Sequence, residues 1–169
     1  MSTTTINPTS NTTPDAGQGG LAVTGNINTG HGSTLTTAAT GTVTKSCIWT
    51  TFPAFTTPIA SMALKFDWTE DGTVVVGTGS ASNSFRVQYS INGGGAWNDV
   101  FTHSNVTSPG NGSSSVALTL PQDTTQVQVR DRMQATATAD LSDSASITTT
   151  ISNIRLEVTT TDAALLAMM

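Results

Sequence analysis

The chain has 169 residues, of which 36% are hydrophobic and only 10% charged, and its net charge is −5, from six Lys and Arg against eleven Asp and Glu. That length suits one domain with a real core. So few and so scattered cations exclude wrapping a phosphate backbone or gripping an anionic membrane, and no apolar run is long enough to span a bilayer. No nucleic-acid partner and no membrane insertion are therefore expected.

Thr alone supplies about a fifth of the residues, with Ser, Gly and Asn also abundant. Thr is β-branched, so it suits a pleated surface, and its hydroxyl keeps an exposed sheet face wet without charge. Strands rather than helices are predicted up to the last few residues, where the apolar tail has helical propensity. Residues 1–20 are rich in Ser, Thr, Asn, Pro and Gly, with Ile6 the one sizeable side chain after Met1. Such a segment buries too little apolar surface to offset its ordering entropy, so it reads as an arm that a neighbouring subunit would hold. From Leu21 to Thr44 the apolar residues are sparse, which predicts weak edge strands and closes an arm region over 1–45. The start, Met-Ser-Thr-Thr-Thr-Ile, has neither a basic nor an apolar segment of a secretory signal.

Strong strands begin at Cys47-Ile48-Trp49. Cys47 has no partner cysteine, and its apolar context makes a buried small hydrophobe the better reading than a nucleophile. Met62, Leu64, Phe66 and Trp68 alternate with Lys65 and Asp67, the period of a half-buried strand. Glu70-Asp71-Gly72 reads as a turn into Thr73–Val76. Phe85, Val87, Tyr89 and Ile91 alternate with Arg86, Gln88 and Ser90; Asn92-Gly93-Gly94-Gly95 turns the chain, and Trp97 opens the next strand. Pro109-Gly110-Asn111-Gly112 is a second loop signal. Val116, Leu118 and Leu120 alternate, as do Val127, Val129 and Asp131. Ile147, Thr149 and Ile151 share one parity and Ile154, Leu156 and Val158 the other, so a β-bulge or bend is predicted at Ser152-Asn153. Eight or more short strands without a fixed repeat predict an all-β, antiparallel two-sheet sandwich or closed barrel over 46–160.

Ser90-Ile91-Asn92-Gly93-Gly94-Gly95-Ala96-Trp97 resembles the Asp-box Ser-x-Asp-x-Gly-x-Thr-Trp of sialidase-type propellers. Asn92 stands for the Asp and Ala96 for the Thr. In that family the box is a hairpin turn remote from the chemistry, so one copy implies a hairpin and no sialidase. The strand order from Trp49 to Thr159, closing on Ile151-Ser-Asn-Ile-Arg-Leu-Glu-Val158, resembles galactose-binding-like jelly rolls, many of them carbohydrate-binding modules. The resemblance implies a jelly-roll β-sandwich, and through it glycan binding. A structural calcium is the one cofactor it allows.

A sugar offers an apolar C–H face ringed by hydroxyls, so its site needs an exposed aromatic plane beside hydrogen-bonding groups. Trp97, with Asn98 and Asp99, is the candidate; Trp68 and Tyr89 have core parity. For calcium the candidates are Glu70-Asp71 and, ahead of it, the pair Asp140 and Asp143, by oxygen chemistry. His31 and His103 lack partners at zinc-ligand spacing and read as solvated. No nucleophile elbow, phosphate loop or Ser/His/Asp grouping appears, so no enzyme is expected. The tail 161–169 (Leu165, Leu166 and Met168 among it) is apolar, short and suited to docking on its own sandwich or on a neighbour.

Together these features point to a structural or adhesive bacteriophage virion protein. It would be a decoration, fibre or tail-appendage subunit, made in the host cytoplasm and assembled as a homo-oligomer with other virion proteins. Its assembly residues would be Ile6, Leu21, Leu165, Leu166 and Met168. The alternative is a carbohydrate-binding module or glycan-receptor reader, secreted or on the particle, taking a cell-surface polysaccharide.

Overall fold

In a computed structural model of the chain, residues 1–8, 11–12, 22–26, 30–37, 40–49, 59–91, 95–121, 124, 126–138 and 142–160 are described. They form eleven strands: β1 (Ser2–Ile6), β2 (Asn11–Thr12), β3 (Ala22–Asn26), β4 (Gly30–Thr37), β5 (Gly41–Trp49), β6 (Ile59–Val75), β7 (Ser80–Ile91), β8 (Asn98–Ser104), β9 (Gly110–Leu118), β10 (Val127–Thr138) and β11 (Ser144–Thr160). One sheet runs β3-β4-β11-β6-β9 with β1 also on β11, and the other runs β2-β5-β10-β7-β8. Every pairing is antiparallel, and from β4 onward the chain crosses repeatedly from sheet to sheet, as a jelly roll does.

Period-two alternation builds the core. Met62, Leu64 and Phe66 of β6 and Ile147, Ile151 and Leu156 of β11 meet Phe85 and Val87 of β7 and Val127, Val129 and Met133 of β10, all buried. The inward and outward sets are those the sequence pattern predicts. The parity switch in β11 is a bulge. Ser152 pairs with Asp67 and Arg155 with Lys65, so β11 spends one residue more than β6 there. Asn153 takes φ 52°, a left-handed conformation that Asn tolerates better than most residues. Its Nδ2 donates to Asp67 Oδ2 at 2.5 Å, and Ser113 Oγ donates to Asp67 Oδ1 at 2.6 Å. These bonds, Asn153's first, hold the Asp67 carboxyl below the usual carboxylate range, with Arg155 adding to them and burial opposing.

Two expectations fail here. Glu70-Asp71-Gly72 is not a turn, because β6 runs unbroken from Ile59 to Val75 and pairs with β11 along its length. The reason is tertiary: Gly72 leaves room for the Asn83 side chain, and a Cβ there would lie 2.7 Å from Ser146 O and 2.8 Å from both Val106 O and Asn83 Nδ2. The loop signal at Pro109–Gly112 is likewise mostly strand, since β9 starts at Gly110. Gly112 lies under the Trp68 ring, where a Cβ would be 3.0 Å from the ring edge. Within the region read as an arm, residues 2–6 pair with Thr160–Leu156 of β11, and half-buried Ile6 packs against the core. Leu21 and the tail with Leu165, Leu166 and Met168 lie outside the described residues.

Asn83, buried and inward-facing on β7, ties the two sheets together. Its Nδ2 donates to Ser146 O at 2.6 Å and Val106 O at 2.8 Å, and lies 3.4 Å from Thr73 O. Its Oδ1 accepts from Val106 N at 2.7 Å, and its backbone oxygen accepts from Asn105 N at 2.8 Å. One amide thus satisfies backbone groups that a bare apolar interface would strand.

Candidate functional site

The outward face of the β2-β5-β10-β7-β8 sheet follows from the alternation that builds the core. Because Phe85 and Val87 point inward, Arg86, Gln88 and Ser90 point out. Because Val127, Val129 and Met133 point inward, Gln128, Arg130 and Arg132 point out. Register then sets neighbours: Arg130 lies opposite Gln88, Arg132 opposite Arg86, and Gln88 opposite Asp99 of β8. A register shift makes the last pairing: Val87 pairs with Phe101 and Gln88 with Asp99, so β8 has one extra residue, Val100, there.

The result is a polar network roofed by an aromatic ring. Arg130 Nε donates to Gln88 Oε1 at 2.7 Å, and Gln88 Nε2 donates to Asp99 Oδ1 at 2.6 Å. Arg86 Nη1 lies 3.3 Å from Asp99 Oδ2. The Arg130 guanidinium sits 4.1 Å from the Trp97 ring centroid, within cation–π range. Trp97 is half-buried, Asn98 and Asp99 are exposed, and Gln88 and Ser90 are buried. Trp97 and Asp99, named from the sequence, therefore belong to one surface. Asn98 adjoins it in chain but pairs with Tyr89, whose parity is inward. The residues of the Asn92–Gly94 turn lie outside the described residues.

Sequence reasoning missed Gln88, Arg130, Arg86 and Arg132 as members. The alternation Arg86-x-Gln88-x-Ser90 and Gln128-x-Arg130-x-Arg132 showed which residues share a face, but not that β7 and β10 are neighbours.

The calcium candidates separate. Asp140 lies outside the described residues, while Asp143 is buried and its Oδ1 accepts from Gly77 N at 2.6 Å and Gly79 N at 3.4 Å. That carboxylate pins the chain between β6 and β7. Among the described residues no group of three or more His, Cys, Asp or Glu is placed to hold a metal.

His103 is not a free solvated ring, contrary to expectation. Its Nδ1 lies 2.6 Å from Oε1 of largely buried Glu70, and its ring lies 4.8 Å from Trp68 and 4.4 Å from Phe101. This group fills the side of the sandwich where β8 and β9 are edge strands, and Phe101 also meets Phe66 and Phe85 edge-on. His31 is in β4 opposite Ile151, and Cys47 in β5 opposite Asp131; their side chains lie outside the described residues.

No protein-family model matches the chain, and no curated protein does either. Solved structures of similar shape include the CBM22-1 xylan-binding domain from Paenibacillus barcinonensis Xyn10C, at 10% identity over 94% of this chain and 95% of that one, with a TM-score of 0.44. Another is CBM28, a module specific for non-crystalline cellulose, at 12% identity over 80% and 79% of the two chains and a TM-score of 0.41. A third is TmCBM61 in complex with β-1,4-galactotriose, at 12% identity over 91% and 86% and a TM-score of 0.32. Likenesses this distant say nothing about a ligand, so the functional reading rests on this chain's own residues.

Proposed function

We propose that this protein is a non-catalytic glycan-binding β-sandwich whose site is the outward face around Trp97. The observation that carries the reading is the Trp97 ring at the surface of a sheet, bordered by the side-chain donors and acceptors of Gln88, Asp99 and Arg130. A pyranose would lay its C–H face on the indole while its hydroxyls exchange hydrogen bonds with the amide and carboxylate. Arg130 occupies one ring face and fixes the indole plane in advance, which lowers the ordering cost of binding.

The test is affinity gel electrophoresis against a panel of soluble polysaccharides. At least one should retard the protein, and Trp97→Ala should weaken that retardation at least tenfold, about 1.4 kcal/mol, with the urea midpoint nearly unchanged. Failure to bind any member of a broad panel would end the proposal.

A virion role is compatible with this reading, since a particle protein can display such a face to a host polysaccharide; the Thr-rich, charge-poor composition favours it. It would place the protein on the particle as a homo-oligomer. Because Ser2–Ile6 completes its own sheet, contacts between copies would use other surfaces. Light scattering at micromolar concentration decides this: a purely monomeric particle removes the oligomer.

A further inference from the structure

Arg86 and Arg132 are antiparallel partners, directly opposite on the same outward face. Like charges in that position repel, and a sheet normally avoids or neutralises them. The opposite sheet shows the neutralised case: Lys65 Nζ lies 2.7 Å from Glu157 Oε2, and Arg155 Nε lies 4.0 Å from Glu157 Oε1. On the Arg86 face one carboxylate among the described residues serves both groups: Asp99, opposite Gln88 on β8, lies 3.3 Å from Arg86 Nη1 and accepts from Gln88 Nε2 at 2.6 Å, which leaves Arg132 without a counter-charge. Arg86 Nε is buried without a hydrogen-bond partner among the described residues, and the Arg132 side chain forms no ion pair or hydrogen bond with any of them. With Arg130, three of the chain's six basic residues gather on two neighbouring strands of a protein whose net charge is −5.

We infer that this face takes an acidic polysaccharide, one whose sugar units carry carboxylates, and that Arg86 and Arg132 grip the acid group beside the sugar stacked on Trp97. The inference rests on the glycan reading above and names its ligand class. An anion between the two guanidiniums converts a repulsive cross-strand pair into two charge-assisted contacts, and the planar guanidinium fork matches a carboxylate in two-point geometry. A nucleic acid fits less well. It needs cations all along its track, whereas these form one cluster on an otherwise acidic chain.

The experiment uses the full chain with polygalacturonate, alginate and hyaluronate. Controls are highly methyl-esterified polygalacturonate, dextran sulfate, neutral xylan and dextran, and single-stranded DNA. Binding to at least one carboxylated polymer is expected, weakening as NaCl rises. Where polygalacturonate is bound, its methyl ester should bind less, because the backbone is kept and the charge removed. Arg132→Gln should weaken acidic-polymer binding about fivefold or more, while its urea midpoint holds or rises as the cross-strand repulsion goes. Arg155→Gln, on the other sheet, should bind like the unmodified protein.

Unchanged binding by Arg132→Gln overturns the inference, as does equal binding to the methyl ester. Tighter binding to DNA or to dextran sulfate than to every carboxylated polymer also overturns it. Trp97-dependent binding to xylan or dextran alone sinks this inference but leaves the glycan reading standing; binding to nothing sinks both.

Discussion

Replacing Asn83 by Ala tests the account of how the two sheets are locked. The change removes the acceptor of the Val106 N–H at 2.7 Å and the donor to Ser146 O and Val106 O at 2.6 and 2.8 Å. Each such bond contributes about 1 kcal/mol net, and a buried N–H left unpaired costs about 1–3 kcal/mol. The 3.4 Å contact to Thr73 O adds little. The expected loss is therefore about 3–5 kcal/mol, a large part of the roughly 5–15 kcal/mol that stabilises a typical domain. For a chain of this size that lowers Tm by roughly 10 °C or more. Urea unfolding followed by tryptophan fluorescence measures it, with Ser82→Ala, exposed on the same strand, as the control. A loss under about 1 kcal/mol with an unchanged denaturant slope would show that water or a rearranged loop replaces the amide, and the inter-sheet tie would be refuted.

Gly72→Ala should destabilise by several kcal/mol, because the new methyl meets the backbone oxygens of Ser146 and Val106 at 2.7 and 2.8 Å as well as Asn83 Nδ2. Combined with Asn83→Ala it should cost less than the two changes added, since the smaller side chain frees part of that space; strict additivity in urea unfolding would contradict the shared site. Asp67 gives a pH dependence. Its folded value lies below the ordinary one, so its contribution is complete above about pH 4 and disappears as pH falls through the folded value. The urea midpoint of Asp67→Asn should accordingly trail the unmodified protein near neutral pH, and the gap should narrow as pH falls below the ordinary carboxylate value; a gap that is constant with pH would rule out the carboxylate's role at the bulge.

The one-dimensional pattern determined which residues face the core, because a strand's period of two is local. Met62–Phe66, Phe85–Val87, Val127–Val129 and the parity switch at Ser152-Asn153 all lie as the alternation requires. It also singled out Trp97. Turn signals were less dependable, since glycine marks either a bend or a close approach. Gly72 and Gly112 are the second kind, cut to fit Asn83 and Trp68 from elsewhere in the chain. What only the tertiary structure decided is adjacency across long separations. Arg86 meets Arg132, Gln88 meets Arg130, and His103 meets Glu70 through strand order and register. No local propensity encodes those pairings, because hydrophobic burial fixes the sheets and the polar neighbours on their outer faces follow from that arrangement.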